Sequence, residues 1–470
     1  MARRRISEAE RFVSDVRITD IAEEGRGVAR QDDRVLFIER GVPGDVADVE
    51  LFRKKKNFAE GRMMALKRPS EHRTEPFCAH FGICGGCKWQ HMAYPAQLRF
   101  KQQAVENALK RLGNIDTSPM ECILPSARTE YYRNKLEFTF SNKRWLTSLD
   151  EDVRPENRNA LGFHVPGRFD KILDIAHCHL QQDPSNAVRN HVRNFAIARG
   201  ISFYDIRAHT GALRNLIVRT SSTGEVMFIV VFAYPEPGQV DVLMAEIAAR
   251  FPAVTSLLYV INQKRNDTIA DQDVHLYAGR DFICEEMEGL KFKIGPKSFY
   301  QTNSAQAYEL YKTIREFAGL QGTERVYDLY TGAGTIANFI ARAAREVIGV
   351  EYVPSAIADA KINSEINGIA NTKFFAGDMR DVLTQNFVRL HGKPDVVVTD
   401  PPRAGMHGDV VRRLLEMEAE KVVYVSCNAA TQARDLALLG EKYRVARIRP
   451  VDMFPHTQHV ENVVLLMMND

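Results

Sequence analysis

From about residue 322 onward the chain alternates between apolar strand-like and helix-like segments, and no other feature constrains its fold as strongly. Segments 325–330, 346–351, 395–400 and 421–426 read as strands, and 335–344 and 354–367 read as helices. Strands alternating with helices predict an α/β unit built on a parallel, doubly wound sheet. In such a sheet ligands bind beyond the carboxyl ends of the strands. Residues that follow a strand directly are therefore the first place to look for chemistry.

The turn Asp328-Leu329-Tyr330-Thr331-Gly332-Ala333-Gly334 follows the first strand and opens a helix. Glycines there let the backbone turn sharply and approach a ligand. Glu351 ends the next strand, where an acidic residue meets ribose hydroxyls in nucleotide-binding folds. Gly377-Asp378 follows the third strand, and its side chain is placed to reach an adenine. No Gly-Lys-Ser/Thr ending is present, which argues against a phosphate-cradling loop. A glycine turn alone can be plain structure, but with Glu351 and Asp378 in register it reads as a nucleoside site.

Two further strand ends carry Asp400-Pro401-Pro402-Arg403 and Ser426-Cys427-Asn428. Prolines stiffen the first loop and fix its aspartate. Cys427 is either a small buried hydrophobe or a nucleophile. Glu461 opens an apolar segment after His456-Thr457-Gln458-His459-Val460. It is either one half of a strand-end ion pair or a base whose pKa is raised by burial.

The remainder of the 470 residues is long enough for about two more domains. Segments 11–21, 27–29, 35–38, 45–52 and 61–66 predict a small β-barrel, with Arg53-Lys54-Lys55-Lys56 near a strand end. Residues 51–144 hold 18 Lys or Arg against 8 Asp or Glu, so this stretch is at +10 while the rest of the chain is at −7. That asymmetry fits a polyanion partner or a solvated face. A helix is expected over 97–112, stopped by Gly113. Residues 131–290 carry β-rich patterns, and the longest apolar run, 226–234, reads as a buried strand. The basic start Met1-Ala2-Arg3-Arg4-Arg5 leads into acidic residues and not into an apolar run, so neither a signal peptide nor a membrane span is expected. Seven cysteines, an odd count, point to a reducing, cytoplasmic setting.

Taken in order, Phe299-Tyr300-Gln301-Thr302-Asn303, 328–334, 400–403, 426–431 and 456–464 resemble the RNA (uracil-5-)-methyltransferases. The likeness runs over nearly the whole chain. It implies an S-adenosylmethionine-dependent enzyme in which Cys427 adds to carbon 6 of a uracil and Glu461 removes the proton from carbon 5. It also implies that Gln301, Tyr330, Glu351 and Asp400 hold the cosubstrate and that Phe299 stacks on the extruded base. Tyr131-Tyr132-Arg133-Asn134-Lys135 resembles an RNA-facing stretch of the same family. Two departures stand out. Ala429 replaces a usual proline, which is expected to loosen the catalytic loop. Thr331 replaces a frequent cysteine and is expected to contribute only backbone.

Cys78, Cys84 and Cys87 form C-x5-C-x2-C with three glycines between them. With Cys178 they match the four-cysteine set of the iron–sulfur members of the family, which implies a [4Fe–4S] cluster, with zinc as the other option. Cys122 and Cys284 are then expected to be packing residues. Those members that act on ribosomal RNA also carry an RNA-binding TRAM barrel. The resemblance thus implies residues 1–70 as TRAM barrel, 71–290 as central RNA-binding domain and 291–470 as catalytic domain. It implies 23S rRNA as substrate, with tRNA as the alternative, for a monomeric enzyme with no membrane partner. Two competing readings are an amino-group methyltransferase, which needs no thiol, and an inactive RNA-binding homologue.

Overall fold

The computed structural model describes residues 11–22, 24–31, 33–147, 154 and 158–469. The basic start at residues 1–5 lies outside the described residues. The first unit is a six-stranded sheet in the order Phe12–Arg17, Val46–Lys54, Phe58–Arg68, Arg34–Glu39, Gly27–Gln31, Asp20–Ile21. The two edge strands are consecutive in the chain and only two residues apart. That link brings the sheet's edges together around Val16, Ile18, Leu36, Ile38, Val49 and Leu51, as a barrel requires. The basic run does lie at a strand end, though Arg53 turns back onto Glu60 at 3.1 Å.

The second unit is a seven-stranded sheet with Val226–Phe232 and Leu213–Thr220 near its middle. Side chains alternate between the two faces of a strand. Phe228, Val230 and Phe232 pack under the helices Ser185–Ala198 and Gln239–Arg250. Met227, Ile229 and Val231 join the core of the third unit. A strand buried on both faces has no polar alternation, which explains the apolar run.

In the third unit seven strands lie in the order Thr372–Ala376, Glu346–Glu351, Arg325–Leu329, Val396–Thr399, Lys421–Ser426, Glu461–Met468, Tyr443–Val451. The first five are parallel, as expected. One strand departs from the all-parallel expectation: Glu461–Met468 runs antiparallel to both its neighbours, and Tyr443–Val451 beyond it runs with the first five. Ser304–Ala318, Thr335–Ala341 and Pro354–Ile366 contribute to one core, and Gly408–Met417 and Ala429–Leu439 to the other.

The predicted helix spans Tyr94–Gly113, and it packs on this third unit through Val105 and Leu109. Gly113 is not its stop. Asn114 caps it in the left-handed conformation. A Cβ at Gly113 would lie 2.7 Å from the Ala433 carbonyl oxygen, so this glycine serves close helix approach. Among the described residues no helix is long and apolar enough to cross a membrane.

Candidate active site

Three neighbouring strands bring an aspartate, a cysteine and a glutamate to one edge of the sheet. Val396–Thr399 pairs with Lys421–Ser426, which pairs with Glu461–Met468. Ser426 faces Asn462 in that ladder. Cys427 leaves its strand just after this rung, and Glu461 enters the other strand just before it. An antiparallel strand begins where its parallel neighbours end, so a residue at its start reaches the carboxyl edge.

The electrostatics show how close these groups are. Burial raises the pKa of Glu461 well above the usual carboxylate value, Asp400 raises it further, and Arg403 opposes them. Burial also raises Asp400. The Cys427 thiol is pushed up to about 11, first by burial and then by Glu461, while Arg403 pulls it down by charge and hydrogen bond. Arg403 Nη2 lies 2.8 Å from His459 Nδ1, which ties the Asp400 loop to the loop preceding Glu461.

Asn428 secures the cysteine loop. Its side chain accepts from the N–H groups of Ala430 (3.0 Å) and Thr431 (3.4 Å), capping the helix Ala429–Leu439. Its Nδ2 donates to the Arg403 carbonyl at 3.2 Å.

The glycine turn behaves as a ligand-facing loop. Tyr330 (φ 64°) and Gly332 (φ 55°) are left-handed, and nothing lies within 4 Å of where a Gly332 Cβ would be. Glu351 accepts from Gly332 N–H at 3.2 Å and Val353 N–H at 3.0 Å, which fixes its carboxylate under the turn. Asp328 is fully buried beneath it. Its Oδ2 accepts from Thr331 Oγ1 at 2.5 Å, and its Oδ1 has no partner. Burial, with a contribution from Asp400, pushes the Asp328 carboxyl up to about 7. Thr331 therefore contributes its hydroxyl in addition to the backbone of the turn.

Asp378 caps the short helix Met379–Val382 and is held by Arg380 at 2.7 Å and 3.0 Å. That ion pair pulls its pKa down to about 2. Its carboxylate raises the pKa of the Tyr330 phenol, so it stands near the turn but is already engaged by Arg380. Phe299 presents a ring that is 72 % exposed. Gln301 lies two residues on, its carbonyl accepting from Asn134 Nδ2 at 2.9 Å.

Cys78, Cys84, Cys87 and Cys178 line one cavity, together with His80, Phe81, Phe163 and Leu180. Burial pushes the thiols of Cys84 and Cys87 up to about 12, and each is raised further by neighbouring cysteines. Among the described residues no three donor side chains converge on a point where one ion would sit. Cys284 is half-buried, but Cys122 is exposed and is not the packing residue the sequence led us to expect.

A family model described as tRNA (Uracil-5-)-methyltransferase matches residues 270–469, and a TRAM domain model matches residues 10–64. An uncharacterized RNA methyltransferase of Bacteroides thetaiotaomicron is 58% identical, over 95% of this chain and 99% of its own length. This chain belongs to the RNA (uracil-5-)-methyltransferase family. A further relative, from Porphyromonas gingivalis, is 57% identical over 96% of this chain and 99% of its own. Among solved structures, the Pyrococcus abyssi tRNA (uracil-54, C5)-methyltransferase in complex with S-adenosyl-L-homocysteine superimposes with a TM-score of 0.76 at 28% identity. That match covers 97% of this chain and 100% of the archaeal one. Like its family, the protein is an RNA methyltransferase, and its third unit has the S-adenosylmethionine-dependent methyltransferase fold.

The structure also brings to this edge two residues to which the sequence reading gave no role. Asp328 and Arg403 were visible only as letters in longer motifs. Their signal was position: each flanks a strand end beside a group already suspected. The departure at Ala429 looks different in three dimensions. Ala429 is the first residue of a helix whose start is held by the Asn428 cap, so the loop does not depend on a proline for its shape.

Proposed function

We propose that this enzyme methylates carbon 5 of a uridine in RNA, taking the methyl from S-adenosylmethionine through a covalent adduct on Cys427. The observation that carries this reading is the Ser426–Asn462 rung, which sets Cys427 and Glu461 on adjacent strands beside Asp400. Charge supports the choice of cosubstrate. Burial raises the carboxyls of Asp328, Asp400 and Glu461, and Asp400 raises the other two further; a sulfonium or α-ammonium cation beside them relieves that repulsion.

Carbon 5 of uracil is too weak a nucleophile to take a methyl unaided. In the proposed sequence Cys427 gives its proton to solvent and the sulfur adds to carbon 6, which places an enolate across carbons 4 and 5. Arg403 favours the thiolate. Carbon 5 then takes the methyl from the sulfonium. Glu461, as carboxylate, removes the proton from carbon 5, and the C6–S bond breaks to release Cys427 and the product. A carboxyl with a raised pKa is matched to this proton transfer near neutral pH. Gln301, Tyr330, Glu351 and Asp400 would hold the cosubstrate, with Asp378 near the adenine end. The exposed ring of Phe299 would replace the stacking that the target base loses on extrusion.

In this reading residues 1–70 and 71–290 grip and position the RNA, and 291–470 catalyse. Cys78, Cys84, Cys87 and Cys178 would hold a [4Fe–4S] cluster. Four thiols lining one cavity are the observation that supports a cluster, with zinc as the alternative. The cluster would supply a rigid link between the linker and the central sheet.

We take 23S rRNA as the substrate because the TRAM barrel and the four cysteines occur together. A second reading, tRNA, is supported by the full-length overlap with the archaeal tRNA enzyme. Mapping 5-methyluridine in rRNA and tRNA from cells lacking the gene tests both. Loss from one 23S position supports the first, loss from tRNA supports the second, and no loss from either sinks the function.

A further inference from the structure

The nine residues between Val451 and Glu461 join two antiparallel strands, and Val451 and Glu461 are themselves cross-strand partners. The position of the base is therefore set by the loop that closes this hairpin. Four consecutive carbonyls of that loop are each taken by a group from elsewhere in the chain. Met453 O accepts from Asn303 Nδ2 at 2.9 Å, and Phe454 O from Lys101 Nζ at 3.0 Å. Pro455 O accepts from Tyr132 Oη at 3.0 Å. His456 O accepts from the backbone N–H groups of Lys88 and Trp89 at 2.9 and 3.0 Å.

One helix face supplies the centre of this grip. Tyr94, Gln97 and Lys101 fall at i, i+3 and i+7 and so share a side of the helix Tyr94–Gly113. Lys101 Nζ donates to Asp452 Oδ1 at 2.5 Å, and Tyr94 Oη to Asp452 Oδ2 at 2.9 Å. Gln97 Oε1 accepts from His456 N–H at 2.8 Å, and its Nε2 donates to Trp89 O and Met92 O. Lys101, Gln97 and Asp452 are wholly buried. His456 is held in the left-handed region at φ 64°, which an L-residue keeps only when its surroundings over-determine it. A buried ion pair adds little net stability, but it strongly specifies geometry. Among the hydrogen bonds of the described residues, none joins Tyr94, Gln97, Lys101 or Asp452 to Cys427 or Asn428, although the far end of the same helix packs on Ala429–Leu439.

We propose that Gln97 and Lys101 are positioning residues for the catalytic base: they lock the loop 452–456 and thereby aim Glu461 at the carbon-5 proton. The inference rests on the covalent reading given above. It assigns these residues to one step only, the one after methyl transfer. It also means that the segment immediately after Cys87 is mechanically joined to the base through Lys88 and Trp89.

The test is adduct partitioning in Lys101→Met and Gln97→Met, with Asp452→Asn as an isosteric variant should either fail to fold. Each is incubated with ordinary uridine RNA and methyl-labelled S-adenosylmethionine and read on a denaturing gel. The expected result is a methyl-labelled protein–RNA adduct that accumulates in the variants but not in wild type. With it, kcat should fall at least tenfold at unchanged KM for RNA. Folded variants that turn over like wild type, or that lose adduct formation along with turnover, would overturn the inference. Wild-type enzyme that traps no 5-fluorouridine RNA overturns the covalent reading and this inference together. Trapping by wild type, with no accumulation in the variants, overturns this inference alone.

Discussion

Cys427 directly follows the strand that ends at Ser426, and Glu461 opens the neighbouring strand one residue before Asn462, so the Ser426–Asn462 rung brings sulfur and carboxylate to the same edge. Backbone pairing is a rigid way to place two reacting groups, which is what proximity catalysis demands.

Replacing Cys427 with alanine should abolish carbon-5 methylation, by roughly 10⁴-fold or more, because the covalent route has no substitute nucleophile. Binding of S-adenosylmethionine, measured by calorimetry, should be nearly unchanged, since the glycine turn and Glu351 lie on other strands. Residual methylation near the wild-type rate would point to an amino-group acceptor instead.

Glu461→Gln should separate the two halves of the reaction. The glutamine keeps the shape but cannot take the proton, so kcat should drop by about 10²- to 10⁴-fold. Methylated adduct should persist on the protein. The pH profile follows from the same groups. Both Cys427 and Glu461 must be deprotonated, and both have raised pKa values. The rate should therefore rise with pH through the Glu461 ionisation and keep rising toward that of the thiol. A profile that falls between pH 7 and 9 on folded enzyme would contradict the assignment.

The cysteine cavity makes a spectroscopic prediction. Protein purified without air should be brown and carry about four iron atoms per chain. Cys178→Ser should lose most of that iron and lower the melting temperature, because in the proposed cluster Cys178 would be the ligand contributed by the central sheet unit. A colourless protein holding zinc would remove the cluster from the description.

Part of this molecule was legible in its residues and part was not. The alternation after residue 322 gave the parallel strands almost to the residue, and Glu346–Glu351 and Lys421–Ser426 matched outright. Periodicity cannot report strand direction, so the antiparallel insertion of Glu461–Met468 went unread, although it is what brings Glu461 to the site. Lys101 was invisible for a different reason. In an amphipathic helix a lysine reads as a solvated position, and only tertiary contact with Asp452, 351 residues away, buries it. Gly113 was misread because a glycine after a helix looks the same whether it ends the helix or lets another helix approach. Thr331 and Asp328 interact over three residues, but nothing in the sequence says that the aspartate is buried.

That buried aspartate gives the stability of the ligand-free enzyme a predictable slope. Folding raises the Asp328 carboxyl from an ordinary 3.8 to about 7, mainly by desolvation. The folded state then binds the proton more tightly than the unfolded chain does. Stability is fullest below pH 4 as far as this group is concerned, and it declines as pH climbs to 7 and beyond. At about 1.4 kcal/mol per unit the loss is at most about 4 kcal/mol. Asp328→Asn should flatten this slope in melting curves recorded between pH 5 and 8. A mutant as pH-sensitive as wild type would show that other groups dominate.

The departure at position 429 yields the last prediction. Ala429 occupies the first helical position after Asn428, where an N–H needs no partner within the helix and proline is well tolerated. Asn428 has φ −139° and ψ 100°, the extended conformation that a following proline requires. Ala429→Pro should therefore fit without strain and stabilise the fold by about 0.4–1 kcal/mol, by restricting the unfolded chain. Activity should stay within about twofold, because the loop geometry comes from the Asn428 cap. Asn428→Ala is the informative contrast. It removes the cap, costs about 1 kcal/mol, and leaves the Arg403 carbonyl held by Thr431 Oγ1 without Nδ2. Adduct formation should slow markedly in Asn428→Ala and hardly at all in Ala429→Pro. The reverse ranking, read from 5-fluorouridine trapping rates, would show that the ring at position 429 matters more than the cap.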